Sequence, residues 1–114
     1  MIIKRKDLAV IAELRQFIEE NACYDISIGV LCKRSGFNRT KLQEGFSQLF
    51  GLTIHVFIFQ LRMDKARSLL ADTDEPIKMI AGKCGYKSIS SFSRAFTSKH
   101  RLSPNEFRKT LIKK

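Results

Sequence analysis

The sequence predicts an all-α protein of about seven helices, arranged as two helix-turn-helix subdomains joined by a long linker helix, and three observations carry that prediction. One pattern is written twice, as IGVLCKRSGFNRTKLQEGF from Ile28 to Phe46 and as IKMIAGKCGYKSISSFSRAF from Ile77 to Phe96. The segment between the copies, TIHVFIFQLRMDKARSLLAD, repeats its apolar residues at helical intervals. The one run that reads as a strand, Val56 to Phe59, is followed by helical spacing and flanking charge, which favour helix.

Each element has its own signals. Leu8, Ile11, Leu14, Phe17 and Ile18 give an amphipathic helix over 7–21, with Asp7 as its N-cap. Ser27 caps a helix from Ile28 to Ser35, Gly36 turns the chain, and Asn38 caps a second helix running to Phe50, which Gly51 ends. Thr53 starts the linker helix, with Val56, Phe57, Leu61, Ala66, Leu69 and Leu70 as its apolar positions; its roughly 19 residues span about 28 Å. The stretch Asp72 to Pro76 breaks it, with Pro76 suited to the first turn of the next helix, which ends near Lys83. Gly85 turns the chain, Ser88 caps a helix to His100, and Ser103 with Pro104 opens a last helix carrying Phe107 and Leu111. The repeat is positional: Ile28, Leu31, Gly36 and Phe37 answer to Ile77, Ile80, Gly85 and Tyr86, and after one extra residue Leu42 and Phe46 answer to Phe92 and Phe96. The whole, 1–114, reads as a single domain with a first unit over 7–52, a linker helix over 53–71 and a second unit over 75–114.

With 114 residues there is room for one compact domain, or for two very small ones sharing a linker helix, and a 44% apolar composition is enough for a real core. The net charge of +10 points to a polyanionic partner and is unevenly placed: residues 1–52 hold eight Lys plus Arg against six Asp plus Glu, and residues 53–114 hold 13 against five. No apolar run reaches the ~18 residues of a membrane span, and MIIKRK lacks a signal-peptide core, so the expected location is cytoplasmic and no membrane partner is expected. Cys23, Cys32 and Cys84 fit neither a metal-ligand spacing nor a disulfide framework, and Cys32 and Cys84 fall where small buried residues are wanted. His55 and His100 stand apart from any nucleophile, and no GxxxxGK run is present. The sequence therefore suggests no enzyme, no cofactor and no metal.

In a helix-turn-helix unit the second helix enters the major groove of double-stranded DNA and its exposed face reaches base edges. With Leu42, Phe46 and Leu49 inward, the first unit turns Arg39, Thr40, Gln43, Glu44 and Ser47 outward. With Phe92 and Phe96 inward, the second turns out Ser90, Ser91, Ser93, Arg94 and Thr97, Ile89 being ambiguous. The base-contact candidates are Arg39, Thr40, Gln43, Glu44, Ser90, Ser91, Ser93 and Arg94, and Arg94 leads because a guanidinium pairs bidentately with guanine. Phosphate-contact candidates are Lys41, Ser47, Lys87, Ser88, Thr97, Lys99 and Arg101, with Lys83, Arg108 and Lys109 as further cations. Glu44 faces phosphates at a cost unless it accepts from cytosine or pairs with Arg39 or Lys41, and a surface ion pair explains it equally well. Arg62 and Arg67 lie beside Asp64, which suits a structural ion pair as well as a DNA contact.

The tandem units, the joining segment GLTIHVFIFQLRMDKARSLL and the closing pattern GYKSISSFSRAFTSKHRLSPNEFR resemble the DNA-binding domain of the AraC/XylS family of bacterial transcription regulators over residues 8–108. The resemblance implies two recognition helices inserted into adjacent major-groove segments, by a monomer, on an asymmetric site of about two helical turns. It places Thr40, Gln43 and Glu44 at the principal base-contact positions of the first unit and Ser90, Ser91, Ser93 and Arg94 at those of the second. It also implies an activator that contacts RNA polymerase. Many members of the family carry an effector-binding or dimerisation domain before this one and a minority consist of the DNA-binding domain alone; the length favours an excised C-terminal domain with an added start methionine over a stand-alone one. Three residues depart from the family pattern: Glu44 replaces a basic residue, Arg101 replaces a glycine and distorts a turn or gains a phosphate contact, and Ile54 replaces a proline. The rival readings are a helical module whose basic surface docks an acidic protein, and a nucleoid-type protein that binds DNA without sequence preference.

Overall fold

A computed structural model describes residues 3–111. Its regular structure among the described residues is seven α-helices: α1 Arg5–Asn21, α2 Ile28–Ser35, α3 Arg39–Phe50, α4 Ile54–Asp72, α5 Ile77–Lys83, α6 Ile89–His100 and α7 Pro104–Leu111. The chain divides into two compact units, the boundary between Phe59 and Gln60 falling inside α4.

In the first unit α1, α2 and α3 pack on one another. Their apolar stripes meet at Ile11, Leu14, Ile18, Leu31, Leu42 and Phe46, all but closed to solvent, and the first turns of α4 add Ile54 and Phe57. Phe46 is the hub, its ring 4.8 Å from Phe50 and 5.6 Å from Phe57. Fully burying a side chain of this size contributes about 1.5 to 3 kcal/mol. Arg15 lies 4.5 Å over the Phe50 ring and Arg34 3.9 Å over Phe17, so two of the unit's cations cover apolar surface. Leu49, expected inward, is 40% exposed; one residue further along α3, Phe50 supplies the packing instead.

The start of α1 also differs from expectation. Lys4, not Asp7, is the N-cap residue, without a side-chain cap bond, and Asp7 lies in the first turn, 4% exposed. Its carboxylate is drawn inward by the ammonium of Lys41 on α3, at 3.2 Å. A second close approach follows one turn along: a Cβ on Gly45 would sit 2.9 Å from Ile11 Cδ1 and 3.1 Å from Ile3 Cδ1. Glycine there lets α1 press on the α3 backbone.

In the second unit α6 packs on α5 and α7. Phe92, Phe96, Ile80, Ala81 and Cys84 are buried with Met63, Ala66 and Leu70 of α4. Met63 escaped the helical pattern read from sequence, whereas Val56, counted among the apolar positions, is 44% exposed. A file of rings runs Tyr86, Phe92, Phe96, Phe107 at centroid separations of 5.7, 6.0 and 5.5 Å. Arg108, expected at phosphates, instead donates to the carbonyls of Leu70, Thr73 and Glu75, satisfying the end of α4 and fixing the connection to α5. Lys83 pairs with Glu75 in that same connection. Arg62 donates to Gly85 O and lies 5.4 Å over the Tyr86 ring, which ties it to the turn of this unit. Cys84 is buried as the pattern required, but Cys32 is only half-buried.

Candidate nucleic-acid interface

Both units build the same local device. In the first, Ser27 Oγ accepts from Val30 N, Gly36 takes φ 76°, and Asn38 Oδ1 accepts from Lys41 N at 2.8 Å to open α3. In the second, Gly85 takes φ 94° and Ser88 Oγ accepts from Ser91 N at 3.1 Å to open α6. A positive φ costs an L side chain about 1 to 2 kcal/mol and glycine little, so glycine sets both turns. The aromatic after each glycine carries a cation over its ring: Lys41 4.4 Å above Phe37, and Arg62 above Tyr86. Pro76 stands at the N-cap of α5, one residue before the helix it was expected to enter.

The outward face of α3 carries Arg39, Thr40 and Glu44 exposed, with Gln43 and Ser47 half-buried along its edge. Lys41 is different. Its ammonium is held by Asp7 rather than by Glu44, and its side chain is 33% exposed, which makes it a poorer phosphate candidate than its neighbours. On α6, Ser90, Arg94 and Thr97 are exposed and Ser91 and Ser93 half-buried, and Ile89 is 45% exposed. Ser91 is partly committed, since its hydroxyl oxygen accepts from Ser88 Oγ at 3.0 Å within the cap. Lys87 and Ser88 stand exposed ahead of α6, and Lys99 and Arg101 at its far end. An open concavity of about 460 Å³ lies at the α5–α6 turn, lined by Lys78, Ala81, Gly82, Tyr86, Lys87, Ser88, Ile89 and Ser90. Lys78 was not singled out from sequence; its spacing from Lys87 becomes meaningful only once the turn folds α5 against α6.

Arg101 resolves one alternative. It adopts φ 67° at the C-cap of α6 and its N–H donates to Thr97 O at 2.8 Å, so the turn keeps the left-handed form with an arginine in glycine's place. Beyond it, Ser103 and Glu106 form a capping box: Ser103 N donates to Glu106 Oε1 and Glu106 N donates to Ser103 Oγ, at 2.8 and 3.1 Å. Hydrogen bonding from Ser103, its backbone N–H first and its side chain second, holds the Glu106 carboxyl below its ordinary range. No helix is long and apolar enough to cross a membrane, and no group of three or more potential metal-ligating side chains gathers among the described residues.

A family model described as a helix-turn-helix domain matches residues 31–110. The chain is 32% identical over 102 residues to regulatory protein SoxS of Salmonella typhimurium, spanning 90% of this chain and 95% of that protein. It is 34% identical over 102 residues to the xylose operon regulatory protein of Escherichia coli, spanning 90% of this chain but 26% of that protein, so it covers about a quarter of that relative. Among solved structures it resembles the C-terminal domain of AraT, a response regulator from Geobacillus stearothermophilus, with a TM-score of 0.85, 26% identity, and 96% of this chain and 88% of that one covered. With seven helices among the described residues, two glycine-turned units and a relative matched over nearly its whole length, the chain belongs to the AraC/XylS family of helix-turn-helix transcription regulators.

Proposed function

We propose that the chain recognises a specific DNA sequence by placing α3 and α6 in successive major-groove segments, as a monomer on an asymmetric site of about two turns, with residues 7–52 and 75–114 as the two reading units. The supporting observation is the duplicated device itself: two helices, each opened by a capping side chain and a left-handed glycine turn, each with a polar outer face. Arg39, Thr40, Gln43 and Glu44 serve as base readers on α3, and Ser90, Ser91, Ser93 and Arg94 on α6. Ser47, Lys87, Ser88, Thr97, Lys99 and Arg101 serve the phosphates, joined by Lys78 across the α5–α6 concavity. Phosphate contacts supply affinity that falls with salt, and base contacts supply preference. The role is binding rather than catalysis, and by family resemblance it leads to activation through RNA polymerase.

The test is selection of the chain against random duplexes of about 25 base pairs, followed by titration of the enriched site against scrambled DNA at fixed salt. Two enriched blocks about one turn apart are expected. One block would mean that a single unit reads sequence, and no enrichment with salt-sensitive binding would favour nonspecific DNA binding.

A further inference from the structure

Three consecutive cations, Lys4, Arg5 and Lys6, open α1, and all three are exposed. The position works against the helix, because the first turn carries the positive end of the macrodipole and is stabilised by anions. Lys4 supplies no side-chain cap bond, and Asp7, the acid of that turn, is buried and committed to Lys41. Natural proteins accept such local mismatches at functional surfaces.

Packing puts these cations beside the first reading helix. Asp7 reaches Lys41, while Ile3 and Ile11 close over Gly45, so the segment from Ile3 to Asp7 packs against the turn of α3 from Lys41 to Gly45. The electrostatic balance of the unit depends on them. Up to Phe59 the chain holds eight Lys plus Arg and six Asp plus Glu; without Lys4, Arg5 and Lys6 the count is five against six. Of those five, Lys41 is paired with Asp7, Arg15 with Glu19, and Arg34 lies on Phe17. With an acidic Glu44 on its reading face, α3 has few cations of its own to draw it to a phosphate backbone.

We infer that Lys4, Arg5 and Lys6 form a phosphate-binding patch that grips the DNA backbone flanking the groove read by α3. The patch rests on the proposal that α3 enters DNA. It supplies attraction without sequence information, and the bound phosphates also complete the positively charged end of α1. Each phosphate neutralised adds about 0.9 to the slope of log affinity against log salt on duplex DNA.

The experiment compares the intact chain with the triple variant Lys4→Gln, Arg5→Gln, Lys6→Gln on the selected duplex and on a scrambled one, from about 50 to 200 mM salt. The expected slope falls in magnitude by about two to three, affinity drops by a similar factor on both duplexes, and the base preference at both blocks is retained. Thermal melting of the variant at or above that of the parent establishes that the loss is not unfolding. Phosphate ethylation should cease to interfere at positions flanking the block read by α3, and continue to interfere around the α6 block. An unchanged slope overturns the patch, and so does a loss of preference confined to the α3 block, which would mean base contact. If the parent chain itself prefers neither duplex, sequence reading has failed, and the slopes on scrambled DNA still decide the patch.

Discussion

Asp7 Oδ2 lies 3.2 Å from Lys41 Nζ, an ion pair that links the first turn of α1 to the first turn of α3. The two sides are unequally buried, with side-chain exposures of 6% for Asp7 and 33% for Lys41. Asp7 Oδ2 is buried without an aligned hydrogen bond, so the ammonium is the close partner of that oxygen. Removing one partner of a buried pair costs more than the pair contributes, because the other is left uncompensated. Lys41→Ala strands a buried carboxylate and is expected to cost about 1 to 3 kcal/mol, after discount for the partly exposed lysine. Asp7→Ala leaves a lysine that can turn to water and should cost under about 1 kcal/mol. Urea denaturation of both single variants and the double variant measures the asymmetry; equal losses would contradict it.

Arg101 holds a left-handed conformation that glycine adopts freely. Arg101→Gly should therefore stabilise the second unit by about 0.5 to 1 kcal/mol, the relief of backbone strain exceeding glycine's extra chain entropy. If the arginine also meets a phosphate, the same variant binds DNA more weakly and loses about 0.9 of the salt slope. Denaturation and DNA titration on one sample separate the effects, which run in opposite directions.

His100 packs 4.4 Å from Phe96 and 6.1 Å from Phe107, with its Nε2 buried and without a hydrogen-bond partner. Its pKa is lowered from 6.5 first by burial, then by Lys99 and Arg67, against an opposing pull from Asp64. A lowered folded pKa means that the unfolded chain binds the proton more readily. The stability contributed is thus complete above about pH 6.5 and is lost as pH falls through the lowered value. Melting curves from neutral to mildly acidic pH should show the decline, and His100→Phe should flatten it in that range.

Arg94→Ala should remove about 1 to 3 kcal/mol of discrimination between the selected site and one altered in the α6 block, with the α3 block unaffected. Gln43→Ala should act in the complementary block. A variant at Arg94 that distinguishes the two duplexes as well as the parent would refute its assignment as a base reader.

The helices and caps were legible because they are local: Ser27, Asn38, Ser88, Gly36 and Gly85 each act within four residues of their position. So was the inward setting of Leu42, Phe46, Phe92 and Phe96, which follows from helical spacing. What sequence hid depends on partners far along the chain. Arg108 looks like any surface arginine until α7 brings it to carbonyls 33 to 38 residues earlier. Asp7 passes for a cap until α3 presents Lys41, and the spacing favours Leu49 because it cannot show that the Phe46 ring gathers Phe50 and Phe57 around it. The cations that open α1 read in the sequence only as a basic opening, since nothing local places them beside α3.

Gly45 has a consequence for how such a protein can change over evolutionary time. Because Ile3 and Ile11 rest against the α3 backbone there, the rear of that helix is fixed by shape and tolerates little substitution. Arg39, Thr40 and Glu44, on its front, take no part in that fit. A lineage can thus exchange those front residues one at a time, altering whatever that face meets while inheriting an unaltered scaffold.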